Sequence, residues 1–140
     1  MGTTMRTDDS ADLAGIWAPR ALSIFRIVVG LLFMEHGLSK LFAFPAPFPG
    51  GGPAAFTLLW YAGAIELLGG LLVAIGLFTR AAAFIMSGEM AIGYWTVHAP
   101  KNFFPLLNGG DAAVLYCFIF LYLFVAGGGT WSLDRWRGAT

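Results

Sequence analysis

The sequence predicts an all-α integral membrane protein, a four-transmembrane-helix antiparallel bundle. Three observations lead there. Of the 140 residues, 58% are hydrophobic and only 11% charged, with a mean hydropathy of +0.74, whereas soluble domains carry roughly a quarter charged residues. Long apolar runs alternate with Pro/Gly-rich breaks. Two of those runs are separated by so few residues that they must fold back on one another.

A spanning helix needs about 20 mostly apolar residues, because the hydrocarbon core is about 30 Å thick. The first span is expected from Ala21 to Phe42, ended by the run from Phe44 to Pro53 (Phe-Pro-Ala-Pro-Phe-Pro-Gly-Gly-Gly-Pro), where proline removes backbone donors and glycine frees the chain. The second is expected from Ala55 to Phe78, with Thr79 and Arg80 turning directly into a third from Ala81 to Val97. So short a connection implies an antiparallel hairpin. A Pro/Gly/Asn loop from Ala99 to Gly110 precedes the fourth span, Asp111 to Ala126, closed by Gly127, Gly128 and Gly129. Asn108 is placed to cap its start and Asp111 sits near its positive end. In hydrocarbon every backbone polar group must bond internally, so helices are the form expected for these runs.

The expected organisation is a cytoplasmic N-terminal segment, residues 1–20, a membrane domain, 21–126, and a cytoplasmic tail, 127–140. Asp8, Asp9 and Asp12 precede the first apolar run, and Arg26, Glu35 and His36 interrupt it. A cleavable leader shows neither feature, so the run is read as a retained span. With both termini on one side, that side holds Arg6, Arg20, Arg80, Arg135 and Arg137, against Lys40 and Lys101 opposite. The positive-inside rule then puts both termini in the cytoplasm. Trp60, Tyr61, Trp95, Trp131 and Trp136 fall near expected helix ends, where interfacial aromatics anchor. The lone Cys117 excludes an intrachain disulfide, and the absence of a basic run argues against nucleic acid as a partner.

Ionisable groups inside a bilayer cost several kcal/mol unless they face the bundle interior and find partners. Arg26, Glu35, His36 and Lys40 lie on the first span, Glu66 on the second and Glu89 on the third. Arg26, Gly30, Phe33, Gly37 and Lys40 form one helical stripe, while Glu35 points nearly opposite Arg26 at about 100° per residue. Glu66 has Ala62, Gly63, Gly69 and Gly70 a turn to either side, which leaves room for a neighbouring helix or a small ligand. Arg26 is the expected countercharge for Glu66, and the pair is expected to lock the bundle. Glu89 reads most simply as a neutral acid hydrogen-bonded between helices. Glu66 and Glu89 together suggest a proton relay. Neither His36 nor His98 sits in a compact ligand motif, so no metal site is expected.

His98, Lys101, Asn102, Asn108 and Asp111 gather around Phe103, Phe104 and Pro105 at the membrane surface. Histidine, carboxylate and aromatics suit a quinone head group, which needs polar contacts and a flat apolar wall. Turn chemistry accounts for the same residues. Asp111, Leu115, Phe118 and Tyr122 share one face of the fourth span and extend that wall. No phosphate loop, CxxC motif or nucleophile elbow is present, so catalysis by this chain alone is unsupported.

Several segments, in order, resemble the DoxX family of small membrane proteins. They are Arg26 to Gly30, His36 to Leu41 (His-Gly-Leu-Ser-Lys-Leu), Glu66 to Gly70 and Gly76 to Arg80 (Gly-Leu-Phe-Thr-Arg). His98 to Pro100, Phe103 to Pro105, Asn108 to Asp111 and Ser132 to Asp134 continue the match. The family usually carries Glu at the position of Asp111. The resemblance implies a four-helix inner-membrane protein, and some members are associated with oxidoreductase systems, including subunits of a thiosulfate:quinone oxidoreductase. It directs attention to Arg26, His36, Lys40, Glu66, Arg80, His98, Asn108 and Asp111.

The leading functional expectation is therefore a bacterial inner-membrane subunit of a redox-linked complex, contacting a quinone or other apolar ligand through His36, Glu66, His98, Asp111 and Tyr122. A structural or assembly subunit for other membrane proteins is the alternative, with a proton or small-solute carrier third. Only four spans and no broken helix weigh against the carrier.

Overall fold

The computed structural model describes residues 8–139, and their ordered elements are all helical, without a β-strand among the described residues. Helix α1 runs Asp8–Phe42, α2 Leu58–Ile75 and α3 Thr79–Gly93, continued by a π-helical turn, Tyr94–His98. A one-turn helix α4, Pro105–Asn108, leads into α5, Asp111–Ala126, and a short α6, Leu133–Trp136, lies in the tail. Arg6, which entered the orientation argument, lies outside the described residues.

Each boundary has a local cause. Thr57 starts α2 by accepting from the Trp60 N–H. Gly76 ends it with φ of 72°, and the Leu77 N–H returns to the Leu72 carbonyl at 2.9 Å. Glycine tolerates this left-handed position at a helix end. The turn into α3 is therefore Gly76 to Phe78, and the second span ends earlier than the sequence suggests. Thr79 and Arg80, expected as the turn, form the first residues of α3 instead. At the far end the Ala99 N–H bonds the Tyr94 carbonyl at 2.8 Å, the wider π-type step. It carries the helical path to His98, so Thr79 to His98 are continuous. Helix α1 begins well before residue 21 and contains Pro19 without ending there.

By length and composition, Asp12–Phe42 and Leu58–Ile75 qualify to cross a membrane, while α5 is apolar but shorter. Large apolar side chains cover the outside, among them Ile24, Val28 and Leu31 on α1 and Leu115, Phe118 and Tyr122 on α5. Trp95, Trp131, Trp136 and Tyr61 are exposed as well.

The core joins Val29, Phe33, Val73, Ala82, Ala83, Met86, Phe120 and Leu123 from α1, α2, α3 and α5. Helices α1 and α2 pack along a glycine seam. A Cβ on Gly30 would stand 2.6 Å from the Ala74 nitrogen, one on Gly37 2.6 Å from the Gly63 carbonyl, and one on Gly70 2.7 Å from the Met34 nitrogen. Without a hydrophobic driving force between helices in lipid, such backbone proximity supplies the packing energy. Between α3 and α5, the Ser87 hydroxyl donates to the Cys117 carbonyl at 2.8 Å. Between α1 and α5, the Phe33 ring meets Phe120 edge-on at 4.7 Å and Tyr116 at 5.0 Å.

Candidate functional site: a buried carboxylate centre

The glycine seam brings the end of α1 against the middle of α2, and there Lys40 Nζ donates to Glu66 Oε1. Both groups are removed from solvent, Glu66 at 2% exposure and the Lys40 side chain at 10%. Gly63, one turn before Glu66, makes this possible, since a Cβ there would press to 3.1 Å on the Lys40 Cβ. Glu66 keeps its second oxygen, Oε2, without a hydrogen-bond partner among the described residues.

Glu89 stands on α3 one turn past Met86, and Met86 packs so closely on Gly69, one turn past Glu66 on α2, that a Cβ there would lie 2.5 Å from its sulfur. Both carboxyl oxygens of Glu89 are buried, and neither has a hydrogen-bond partner among the described residues. This corrects the expectation of an acid bonded within the bundle. Gly88 and Gly93 flank Glu89 on α3, and a Cβ at either would meet nothing within 4 Å. A buried polar atom left unpaired costs about 1–3 kcal/mol, so this acid is not there to hold the helices together.

Arg26 is not the countercharge of Glu66. It is fully buried, but its guanidinium turns to the opposite end of the molecule and is consumed by carbonyls. Nη1 donates to Val73 and, at 2.7 Å, to Ala74. Nε reaches Gly128 at 2.8 Å and Nη2 reaches Trp131 at 2.6 Å. Two of these are last-turn carbonyls of α2, and two belong to the tail, so Arg26 joins a helix end to the C-terminal segment. The reason is positional: Arg26 lies about four turns before Lys40 on the same stripe, level with the end of α2 rather than its middle.

The other tail-end charges play the same part. Arg80 Nη1 donates to the carbonyls of Phe124 and Val125, at 2.9 and 2.6 Å, closing α5. Asp134 accepts from the N–H groups of Phe78 and Thr79, both at 2.8 Å, opening α3. Cations thus sit at helix C-termini and an anion at an N-terminus, as the helix dipole favours. Burial acts to raise the Asp134 pKa, yet the N–H donors of Thr79 and Phe78 and the nearby Arg137 charge hold it below its ordinary value. Ser23 completes the joint by donating to the Pro19 carbonyl and accepting from the Trp131 N–H, each at 2.9 Å.

The remaining candidate residues are distributed as follows. Glu35 is exposed, so it does not belong to the buried charge network. His36 is exposed too, its Nδ1 3.1 Å from the Leu32 carbonyl and its ring against Phe33 and Tyr116. With Glu35, Ser39, Pro45, Ala46, Phe48 and Pro49 it lines a groove of about 290 Å³, and the Phe48 ring stands 5.5 Å from Lys40 Nζ.

At the loop, His98 Nδ1 lies 3.1 Å from the Asn108 carbonyl. Buried Asn108 does not cap α5, whose N-cap is Gly110 without a side-chain cap bond, and instead ties the loop: its amide donates to the Asn102 carbonyl at 2.8 Å, and its oxygen accepts from the Gly110 N–H at 2.7 Å. Asp111 is exposed in the first turn of α5, and Tyr122 lies on that helix's outer face, edge-on to Phe25. The structure therefore joins Lys40, Glu66 and Glu89, with His36 at their margin. His98 and Asn108 form a separate loop brace, and Tyr122 faces outward. Tyr116, between His36 and Phe120, gave no signal in an apolar run. Asp134 and Ser23 did, since Asp and Ser are the residues that satisfy backbone donors at helix ends.

Two apolar helices of membrane-spanning length, an apolar exterior and a lysine–glutamate pair sealed inside are features that a membrane protein requires. The DoxX family model matches residues 21–99, and the chain belongs to that family. An uncharacterized protein of Haemophilus influenzae is 43% identical over 123 residues, covering 85% of this chain and 92% of that protein. An uncharacterized membrane protein of Mycobacterium tuberculosis is 30% identical over 143 residues, covering 84% and 81% respectively. No solved structure matches the chain.

Proposed function

We propose that this DoxX protein is a four-span subunit of a redox-linked complex in the bacterial inner membrane. In this reading α1, α2, α3 with its π turn, and α5 all cross the bilayer as an antiparallel bundle with both termini in the cytoplasm. Residues 21–126 form the membrane domain, and the flanking segments are cytoplasmic. The Lys40, Glu66 and Glu89 centre then lies in the outer half of the membrane. It receives the polar end of an apolar ligand of the quinone class.

The observation that carries this reading is the Glu89 carboxyl, with both oxygens buried and unpartnered among the described residues, on a helix packed at Met86 against the one that carries the paired Glu66. Intramembrane ionisable groups are costly and are kept for a purpose. The donor set fits the ligand: a quinone supplies two-electron chemistry coupled to protons, and its ring oxygens need both donors and acceptors. In this chain, Glu89 and the free oxygen of Glu66 are positioned to exchange a hydrogen bond or proton with such an oxygen. Lys40 fixes the orientation of Glu66, and burial excludes water from the exchange.

Quinone content after purification in mild detergent tests the proposal. Wild-type protein is expected to retain quinone, and Glu66→Gln is expected to lose it together with membrane redox activity. Protein that neither retains nor binds quinone, with Glu66→Gln indistinguishable from wild type, overturns it.

A second reading, a structural or assembly subunit, is favoured by the tail end, where Arg26 and Asp134 are consumed by helix ends. It predicts co-purification with a larger membrane partner and no role for Glu89. The proton or solute carrier reading requires flux in proteoliposomes that depends on Glu89.

A further inference from the structure

A cavity of about 430 Å³ opens at the tail end, between the N-terminal half of α1, the start of α3, the end of α5 and the C-terminal segment. Pro19, Leu22, Phe78, Ala81 and Ala126 make most of its wall apolar, and Arg80 and Arg135 bring positive charge to it. It is separate from the Lys40, Glu66 and Glu89 centre, and no role assigned so far uses it.

Arg80 spends only one corner of its guanidinium on protein. Nη1 takes the Phe124 and Val125 carbonyls, whereas Nε and Nη2 donate to no residue among those described. Those two nitrogens form the parallel edge of the guanidinium, the edge that grips two oxygens of a phosphate or carboxylate. Gly127 keeps it uncovered, since a Cβ there would sit 3.4 Å from Nη2 and 3.5 Å from Nε. Thr79 is fully buried in the wall beside the Asp134 carboxylate, and a Cβ on Gly128 would press to 3.1 Å on its hydroxyl. The one carboxylate in the lining, Asp134, has both oxygens engaged by backbone N–H groups. Its charge is outnumbered by Arg80 and Arg135.

We propose that this cavity binds a phosphate-type anion, gripped by the Nε and Nη2 edge of Arg80 and steadied by Arg135. Two sources share that chemistry, the headgroup of an anionic phospholipid and a soluble phosphate. The apolar wall gives a lipid's glycerol and first methylenes somewhere to lie, and anionic lipid headgroups are drawn to basic pockets on the cytoplasmic side.

Delipidated full-length protein in neutral detergent, followed by native mass spectrometry, tests the site with phosphatidylglycerol, phosphatidylcholine and inorganic phosphate as probes. Phosphatidylglycerol is expected to be retained over phosphatidylcholine. Arg80→Lys keeps a charge for the α5 carbonyls but loses the paired edge, and is expected to weaken retention roughly tenfold, the scale of one charge-assisted hydrogen bond. Arg135→Gln, at an exposed position without a capping role for its side chain, is expected to weaken it with the thermal midpoint unchanged, which separates binding from folding. Competition by inorganic phosphate supports recognition of the phosphate oxygens from either source. Retention of phosphatidylglycerol without competition assigns the site to the lipid, and binding of phosphate alone assigns it to a soluble anion. Equal retention of the two lipids without phosphate binding, or retention indifferent to both substitutions, overturns the proposal.

Discussion

Lys40, in the last turn of α1, and Glu66, at the middle of α2, form an ion pair sealed from solvent where two glycine-lined helices meet. Its energetics follow from desolvation. A charge stranded after its partner is removed costs about 3–5 kcal/mol, whereas replacing both partners by uncharged groups of similar size is often close to neutral. Lys40→Met is therefore expected to lower thermal stability in detergent sharply. Lys40→Met combined with Glu66→Gln is expected to recover most of the loss. Equal destabilisation by the single and double variants contradicts a direct pair.

The glycine seam makes a second test. Gly30→Ala and Gly70→Ala force a methyl to within 2.6–2.7 Å of backbone nitrogen on the facing helix, and overpacking of that kind costs about 1–3 kcal/mol. Gly88→Ala on α3 meets nothing within 4 Å and, as an alanine replacing a helical glycine, is expected to be neutral or stabilising by about 0.5–1 kcal/mol. Unfolding midpoints in one detergent compare all three.

The stripe Arg26, Gly30, Phe33, Gly37 and Lys40 was legible in the sequence, because spacings of three and four residues place side chains on one helix face whatever the tertiary fold. All five are buried or half-buried in the structure. Which charge pairs with Glu66 was not legible. That depends on how far α2 slides along α1, and the register is set by backbone contacts at Gly30, Gly37, Gly63 and Gly70 that periodicity does not encode. Hydropathy likewise located the second and third apolar runs but not their turn. A capping carboxylate from Asp134, some 55 residues further on, fixes where α3 begins.

Arg26 offers a third test, at the tail. Arg26→Met leaves the carbonyls of Val73, Ala74, Gly128 and Trp131 without their donor, at about 1–3 kcal/mol for each one that stays buried. The tail beyond Gly127 is expected to detach and become susceptible to limited proteolysis, while Arg26→Lys is expected to restore part of the protection. Unchanged cleavage in Arg26→Met contradicts the joint.

Asp134 makes the joint sensitive to acid. Its folded pKa lies below the ordinary aspartate value of about 3.9, so the stabilisation it contributes is complete above that value. It is lost as pH falls through the lower folded value. Unfolding followed from pH 6 downward is expected, on the order of pH 4 and below, to show a loss of stability that is smaller in Asp134→Asn, which is also less stable at neutral pH. Identical acid profiles for the two proteins contradict the assignment.

The central claim rests on Glu89, whose buried oxygens have no partner among the described residues. Calorimetric titration of the purified protein with a short-chain quinone, comparing wild type with Glu89→Leu, tests it most directly. An apolar residue of similar size relieves an unpaired buried acid, so Glu89→Leu is expected to be at least as heat-stable as wild type. It is also expected to bind the quinone about three- to tenfold more weakly, the scale of a single hydrogen bond donated by the neutral acid. Equal affinity in the two proteins, or no binding by wild type, contradicts the account.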